Sequence, residues 1–178
     1  MTGNINIRKA RPDDLDAVLQ IYAGARAFMK ENGNPEQWGD SYPPVATVEE
    51  DLSENGGAYV ATDGSEILAV FYFEENADDP AYREIFDGEW ISSLPYGVVH
   101  RIGVAAAGRG KGLGRFCLEW ALERTGNIKI DTHKSNLPMQ KLLTSLGFIH
   151  CGSIYIEDGS HRMAYQCIRS LCDPTKGI

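Results

Sequence analysis

In the first half of the chain, the spacing of the apolar residues is helical in some segments and alternates as in strands in others. Behind the acidic start Pro12-Asp13-Asp14, apolar side chains recur at every third or fourth position, as they do on one face of a helix. Thr47 and Glu50 have the spacing of a capping box, which predicts a second, short helix. The pattern predicts, in order, a strand at 5–8, a helix ending before Gly33, a helix at 47–52 and an antiparallel strand pair at 58–62 and 67–74.

Strands and helices alternate more clearly in the second half. Residues 76–95 are polar and aromatic, and they predict only a short helix around 82–86. The pattern then predicts a strand at 97–104, a helix from 113, a strand at 128–132, a helix at 137–146 and two closing strands at 154–156 and 163–168. The whole order predicts an α/β (α+β) fold, in which helices cover the faces of a mixed sheet.

Composition narrows the class of protein. The 178 residues predict a single domain over 1–178 with a core at about 5–168, and the net charge of −8 argues against a general nucleic-acid binder. No apolar stretch is long enough to cross a membrane, and residues 1–16 lack a secretory signal, so we expect a cytoplasmic protein. The four cysteines show no metal-ligand spacing, and we expect them to be reduced.

A glycine-rich segment at 109–115 lies between a buried strand and an amphipathic helix. Unsatisfied N–H groups at a helix start attract anions, and glycines let a ligand approach the main chain closely. Arg109, Lys111 and Arg115 add local positive charge to an acidic chain. These features predict a diphosphate ligand.

Three diphosphate-binding patterns compete for this segment. A Walker A loop requires Gly-Lys-Ser/Thr where Arg109-Gly110 stands, so it fails. A dinucleotide fingerprint requires Gly or Ala where Arg115 or Cys117 stands, so it fails as well. The third pattern, Arg-x-x-Gly-x-Gly, is satisfied by Arg109, Gly112 and Gly114.

With this strand, loop and helix order, the chain resembles the GCN5-related N-acetyltransferase (GNAT) family. Asn136, Gln140 and Gly147-Phe148 supply a second match, which looks like the Asn-initiated fourth helix of that family. The resemblance covers residues 5–168 and is sharpest over 98–148. It implies a mixed, mostly antiparallel sheet of six to seven strands with a central splayed parallel pair and about four helices on its faces.

The resemblance also implies an acetyl-CoA site between the strands 98–104 and 128–133. The implied binding residues are Ile102, Gly103 and Val104 for the pantetheine arm, and Arg109, Gly110, Lys111, Gly112, Leu113, Gly114 and Arg115 for the pyrophosphate. Asn136 matches a family position that bonds the coenzyme near its pantetheine end. It is also an ordinary N-cap for the helix that follows, and both roles can hold together.

Acetyl transfer requires a neutral amine, so a base with a pKa near ~7 suits the reaction. His100 matches a position where the serotonin acetyltransferase branch carries a catalytic His. The two-residue strand period places it on the same face as Ile102 and Val104. The alternative is a half-buried strand histidine with a structural hydrogen bond.

The chain departs from the family pattern at one catalytic position. Many members carry a Tyr there, as the acid that protonates the thiolate, and this chain carries Leu143. Tyr155 is the candidate replacement acid; otherwise the thiolate leaves unassisted. The candidate acceptor-binding residues are Trp38, Glu74 and His133, and Asp131 is a candidate for proton relay beside His133.

The sequence therefore predicts an acetyl-CoA-dependent N-acetyltransferase. It acts on a primary amine of a small molecule or peptide by direct attack on the thioester, with acetyl-CoA as co-substrate and no metal, nucleic-acid or membrane partner. Dimerisation stays open. The alternatives are a non-catalytic acyl-CoA-binding sensor or assembly module, favoured by the missing Tyr, and a dinucleotide-dependent oxidoreductase.

Overall fold

The computed structural model describes residues 5–172, except for the side chain of Cys172. Its elements are β1 (Ile5–Lys9), α1 (Leu15–Glu31), α2 (Val45–Asp51), β2 (Ala58–Asp63), β3 (Glu66–Glu74), β4 (Gly97–Val104), α3 (Leu113–Thr125), β5 (Asn127–Thr132), α4 (Leu137–Ser145), β6 (Ile149–Tyr155), β7 (His161–Ile168) and α5 (Arg169–Cys172). Short 3-10 turns occur at Pro12–Asp14, Pro80–Tyr82 and Ala106–Gly108. The predicted order of strands and helices is confirmed.

The described strands form a seven-stranded mixed sheet with the order β1-β2-β3-β4-β5-β7-β6. The chain divides into two compact units. Unit 1 is the described part of Met1–Phe73 together with His100–Leu118, and unit 2 is Glu74–Val99 together with the described part of Glu119–Ile178. The His100–Val104 part of β4 thus belongs to unit 1, and the Gly97–Val99 part belongs to unit 2.

In unit 1, β1 and β2 pair antiparallel from Ile5–Asp63 to Lys9–Tyr59, and β2 pairs with β3 in the predicted hairpin. The helices α1 and α2 share a hydrophobic core with these strands, in which Val18, Val48 and Val60 are fully buried. Burying each such side chain contributes about 1.5–3 kcal/mol.

The helix α2 begins earlier than predicted. Its N-cap is Pro44, in the extended conformation, and the Val48 amide donates to the Pro44 carbonyl at 3.2 Å. This hydrogen bond brings Thr47 inside the helix, so the predicted capping-box role of Thr47 is wrong.

In unit 2, β5 and β6 pair antiparallel with β7, and β4 pairs parallel with β5 at Gly97–Ile128 and Val98–Lys129. The predicted parallel pair is confirmed. Both closing strands are longer than predicted, and in β6 a register shift between His150 and Gly152 interrupts the side-chain alternation.

The polar face of β5 holds the long segment that precedes β4. The Gln166 side chain donates to Asn127 Oδ1 and accepts from the Ile91 amide, both at 2.8 Å. The Lys129 ammonium lies 4.3 Å and 4.1 Å from the ring centroids of Trp90 and Tyr96, and burial lowers its pKa. Asn127, which donates to the Pro95 carbonyl at 3.1 Å, and Lys129 are alternate residues of β5, and together with Gln166 of β7 they fix this segment.

The predicted short helix around 82–86 is wrong. Phe86 instead forms an antiparallel bridge with Ser153, with backbone bonds of 2.8 Å and 2.7 Å, and the nearby 3-10 turn ends at Tyr82. Asp79 caps that turn by accepting from the Ala81 amide. Pairing with β6 draws the chain into an extended conformation that local propensity does not reveal.

Two cysteines, Cys117 and Cys151, are buried and free, as expected. Cys167 is disulfide-bonded, so the expectation of a reduced thiol is wrong there. The remaining cysteine, Cys172, has its side chain outside the described residues. No helix between residues 5 and 172 is both long and apolar enough to span a bilayer.

Candidate functional site

The connection from β4 to α3 is shaped by its glycines. At Gly108, a Cβ atom would overlap the Leu113 side chain and lie 3.2 Å from the Leu68 carbonyl oxygen. At the exposed Gly110 and Gly112, φ is +73° and +77°, and a Cβ would meet nothing within 4 Å. The inner glycine thus allows close packing, and the outer two keep the main chain open on one side.

The start of α3 presents main-chain donors beside this opening. The first helical hydrogen bond of α3 runs from the Phe116 amide to the Gly112 carbonyl at 3.0 Å. The amides of Leu113 and Gly114 come before it, so they lie at the positive end of the helix. An open glycine turn leading into a helix N-terminus fits a phosphate group chemically.

Arg109 anchors the segment rather than extending away from it. Its guanidinium donates to the Gly24 carbonyl of α1 at 2.8 Å and lies 4.8 Å from the Phe28 ring centroid. Lys111 is exposed. The side chain of Arg109 therefore fixes the segment against α1, and its contribution to a ligand would come from the main chain.

The strand β4 is kinked at Arg101, whose φ of +48° lies in the left-handed region. The two-residue alternation that predicts His100 on one face with Ile102 and Val104 holds only for extended residues, and Arg101 interrupts it. His100 is half-buried, and its ring stacks on Tyr72 at a centroid distance of 6.2 Å.

An ion pair accompanies the kink. The Arg101 guanidinium donates to both carboxylate oxygens of Asp51, at 2.7 Å and 2.9 Å. Burial lowers the pKa of Arg101, but its hydrogen bonds and attraction to Asp51 outweigh this, so the net pKa is raised. Burial raises the pKa of Asp51 against the opposing effect of Arg101.

Sequence reasoning missed Asp51. The available signal was a cation within a mostly apolar strand, because a buried cation requires a buried partner. That signal indicates that a partner exists, but it does not indicate which of the 25 acidic residues provides it.

Trp38 lies in unit 1 among aromatic rings. It is 8% exposed, with ring centroids 5.6 Å from Tyr22 and 6.1 Å from Tyr42. Tyr42 is 40% exposed and continues this aromatic group to the surface. Unit 1 thus brings together Trp38, His100, the kinked strand and the glycine segment.

The remaining candidates lie in unit 2. The Asn136 side chain caps α4 by accepting from the Met139 amide at 3.2 Å, which confirms its N-cap role. Nδ1 of His133 accepts from the Ser135 amide at 3.2 Å, so the proton of the neutral ring is on Nε2. Leu143 is fully buried in the core, at the position where the family resemblance led us to expect a Tyr.

Tyr155 and Glu74 are both exposed. The Tyr155 ring lies 5.4 Å from Phe86 and 5.7 Å from His161, between centroids, in edge-on contacts. Glu74 is the last residue of β3. These two positions remain candidates on exposure alone.

Asp131 has a buried partner that the sequence did not indicate. The Tyr82 hydroxyl donates to Asp131 at 2.7 Å, and Arg162 approaches the same carboxylate at 3.9 Å. Burial raises the pKa of Tyr82 well above its ordinary value. Among residues 5–172, no group of three His, Cys, Asp or Glu side chains is placed to hold a metal ion.

Comparison with known proteins identifies the family of this chain. The acetyltransferase (GNAT) family model matches residues 18–148. The chain belongs to the GNAT family of acetyltransferases. The resemblance inferred from Arg109, Gly112 and Gly114 is thereby confirmed, as is the enzyme class.

Solved GNAT structures share the fold. A GNAT acetyltransferase from Streptococcus agalactiae is 29% identical, with a TM-score of 0.82 over 92% of this chain and 95% of that one. The yncA protein from Salmonella typhimurium, solved with its cofactor acetyl-CoA, is 17% identical, with a TM-score of 0.61 over 93% and 94%. A ribosomal-protein-alanine N-acetyltransferase from Brucella melitensis is 22% identical, with a TM-score of 0.61 over 92% and 99%. No curated protein matches the sequence.

Proposed function

We propose that this GNAT chain is an acetyl-CoA-dependent N-acetyltransferase acting on a primary amine of a small molecule or peptide. The observation that carries the proposal is the open main chain at Gly110 and Gly112, followed by the amides that begin α3. We further propose that the chain is a single N-acetyltransferase domain, which its length of 178 residues supports, and that it acts in the cytoplasm.

Each coenzyme-binding role has a physical basis in the chain. The diphosphate would accept from main-chain amides between Arg109 and Arg115, because the glycines allow close approach there. The pantetheine arm would pair with the main chain of residues 102–104. Asn136 uses Oδ1 as an N-cap, so a bond to the coenzyme would use its amide nitrogen.

The reaction moves the acetyl group in one displacement. The amine nitrogen attacks the thioester carbonyl carbon, the carbon–sulfur bond breaks, and the amine proton passes to a base. We propose His100 as that base and a backbone N–H near Val104 as the donor to the oxyanion. Tyr155 is the proposed proton donor to the thiolate, whose pKa of roughly 8.5 also permits departure without help.

Acceptor recognition is proposed at Trp38, Glu74 and His133. The aromatic group around Trp38 offers an apolar surface, and the exposed Glu74 offers a negative charge to a cationic amine. Nε2–H of His133 is a donor when the ring is neutral. The fold does not select the amine, because acceptor pockets depend on individual side chains.

The decisive experiment combines calorimetry and turnover. Titration with acetyl-CoA should show saturable binding, and a panel of amines, polyamines, aminoglycosides and peptide N-termini should reveal thiol release. Gly114→Glu should abolish binding by adding bulk and negative charge at the start of α3. Absence of binding at about millimolar acetyl-CoA would refute the proposal, since enzymes in general have KM values of about 1 μM to 1 mM.

A second candidate is a module that binds acyl-CoA without transferring the acyl group. The observation favouring it is Leu143, which is fully buried at the position where the family resemblance implies a Tyr that protonates the thiolate. Such a module would bind acetyl-CoA and release no thiol with any amine of the panel. The two measurements together separate the candidates.

A further inference from the structure

Arg101 has a backbone conformation that its own chemistry disfavours. Its φ of +48° lies within β4, where a side chain with a Cβ atom normally takes an extended conformation. A non-glycine residue persists in this region only when its surroundings hold it there. Unit 1 should therefore contain groups whose function is to maintain this kink.

Two helices of unit 1 supply such groups from opposite ends of the residue. Asp51, the last residue of α2, holds the guanidinium with two hydrogen bonds, and the two side chains are only 15% and 8% exposed. Tyr22, on α1, donates from its hydroxyl to the Arg101 carbonyl at 3.0 Å. The Tyr72 ring lies 4.6 Å from the guanidinium carbon.

The main chain after the kink is closely fitted. A Cβ at Gly103 would lie 3.2 Å from Ile21 and 3.4 Å from Tyr22, so this stretch lies tightly against α1. The Ala105 amide then donates to the Leu68 carbonyl at 2.8 Å. The direction of residues 102–104 is thus set at one end by the kink and at the other by β3.

We propose that Asp51 and Tyr22 are positioning residues that hold Arg101 in the left-handed conformation and thereby orient the main chain of residues 102–104 for the pantetheine arm of acetyl-CoA. This inference rests on the proposed function. Neither side chain needs to touch the coenzyme, because each acts through Arg101. The glycine segment at 109–112 has its own supports, including Arg109 on α1.

The test compares two ligands that share the diphosphate. Acetyl-CoA carries the pantetheine arm, whereas 3′-phosphoadenosine 5′-diphosphate is the nucleotide half without it. Tyr22→Phe keeps the aromatic ring and removes one hydrogen bond, so it should weaken acetyl-CoA binding roughly fivefold. It should leave the affinity for the nucleotide half within about twofold, a split that general loss of structure would not produce. Tyr59→Phe, at a β2 ring that stacks on Phe71, is the matched control and should change neither affinity.

A rescue experiment separates positioning from direct contact. Asp51→Asn should weaken acetyl-CoA binding more than Tyr22→Phe, because it leaves a buried cation without its charge partner. Adding Arg101→Gly should restore affinity to within about fivefold of the original protein, since glycine takes positive φ without support. If Asp51→Asn does not fold, the Tyr22→Phe ligand comparison decides alone.

The outcomes distinguish two failures. If the unaltered protein binds neither ligand, the proposed function fails. If it binds both, and Tyr22→Phe weakens both equally or neither, the positioning role is overturned while the proposed function stands. The positioning role is also overturned if Arg101→Gly deepens the loss caused by Asp51→Asn.

Discussion

Replacing Gly112 by alanine separates the backbone's need for glycine from the ligand's need for it. At φ +77°, an alanine is strained by about 1–2 kcal/mol, and it meets no neighbouring atom within 4 Å. For a chain of this length we expect Tm to fall by about 2–4 °C per kcal/mol. The new methyl group would stand beside the amides that begin α3, where the diphosphate is proposed to bind. Loss of one charge-assisted hydrogen bond costs about 1.5–3 kcal/mol, or roughly ten- to a hundredfold in Kd.

Gly64→Ala is the matched control. Gly64 has φ +60° in the β2–β3 turn, also with open space around a Cβ, so the strain is similar. Calorimetry with acetyl-CoA and thermal melts of both variants give affinity and stability independently. We expect similar losses in Tm and a loss of affinity only for Gly112→Ala. Equal affinities in the two variants would refute the assignment of the glycine segment to the diphosphate.

Three further measurements test other parts of the molecule. His100→Gln should lower kcat/KM and change the shape of the pH–rate profile, and an unchanged profile would exclude His100 as the base. Hydrogen bonds from Arg8 lower the pKa of Asp14 in the folded protein. The ionised carboxylate therefore stabilises the fold at every pH above the pKa that Asp14 has in the unfolded chain. This stabilisation is lost as the pH falls through the lower pKa of the folded state. Asp14→Asn should therefore cost about 1 kcal/mol in urea unfolding at neutral pH, and this cost should shrink as acid protonates the carboxylate; a difference that does not vary with pH would contradict the ion pair. Burial raises the pKa of Cys117 to about 12 and also raises that of Cys151, so iodoacetamide at about pH 8 should label both only after unfolding, as mass spectrometry of the peptides can check.

Much of the fold follows from local signals. The strand Gly97–Val104 was predicted with its observed bounds because an apolar run ends at a glycine segment, and Asn136 marked the start of α4 because its side chain can cap only a helix that begins there. The failures have one origin. Thr47 and the residues around 82–86 carried a plausible local signal, but Pro44 and a bridge to Ser153 decided their conformation.

The candidate site likewise has one part that local sequence predicts and one part that depends on distant residues. Glycine spacing identified the candidate segment at 109–115, since glycine itself tolerates a positive φ. The kink at Arg101 was invisible, because its stability comes from Asp51 and Tyr22, which are distant in sequence. Side-chain alternation describes a strand only while every residue in it is extended. A residue that is held in another conformation by side chains distant in sequence leaves no local pattern that would predict it.

The polar face of β5 limits which sequences can replace the segment before β4. The segment before β4 contacts the sheet through Asn127, Lys129 and Asp131, so its amide hydrogens should exchange as slowly as those of the neighbouring strands. A loop transplanted from another protein would lack the groups that contact these three side chains here. Remodelling this stretch therefore requires rewriting alternate positions of the strand at the same time.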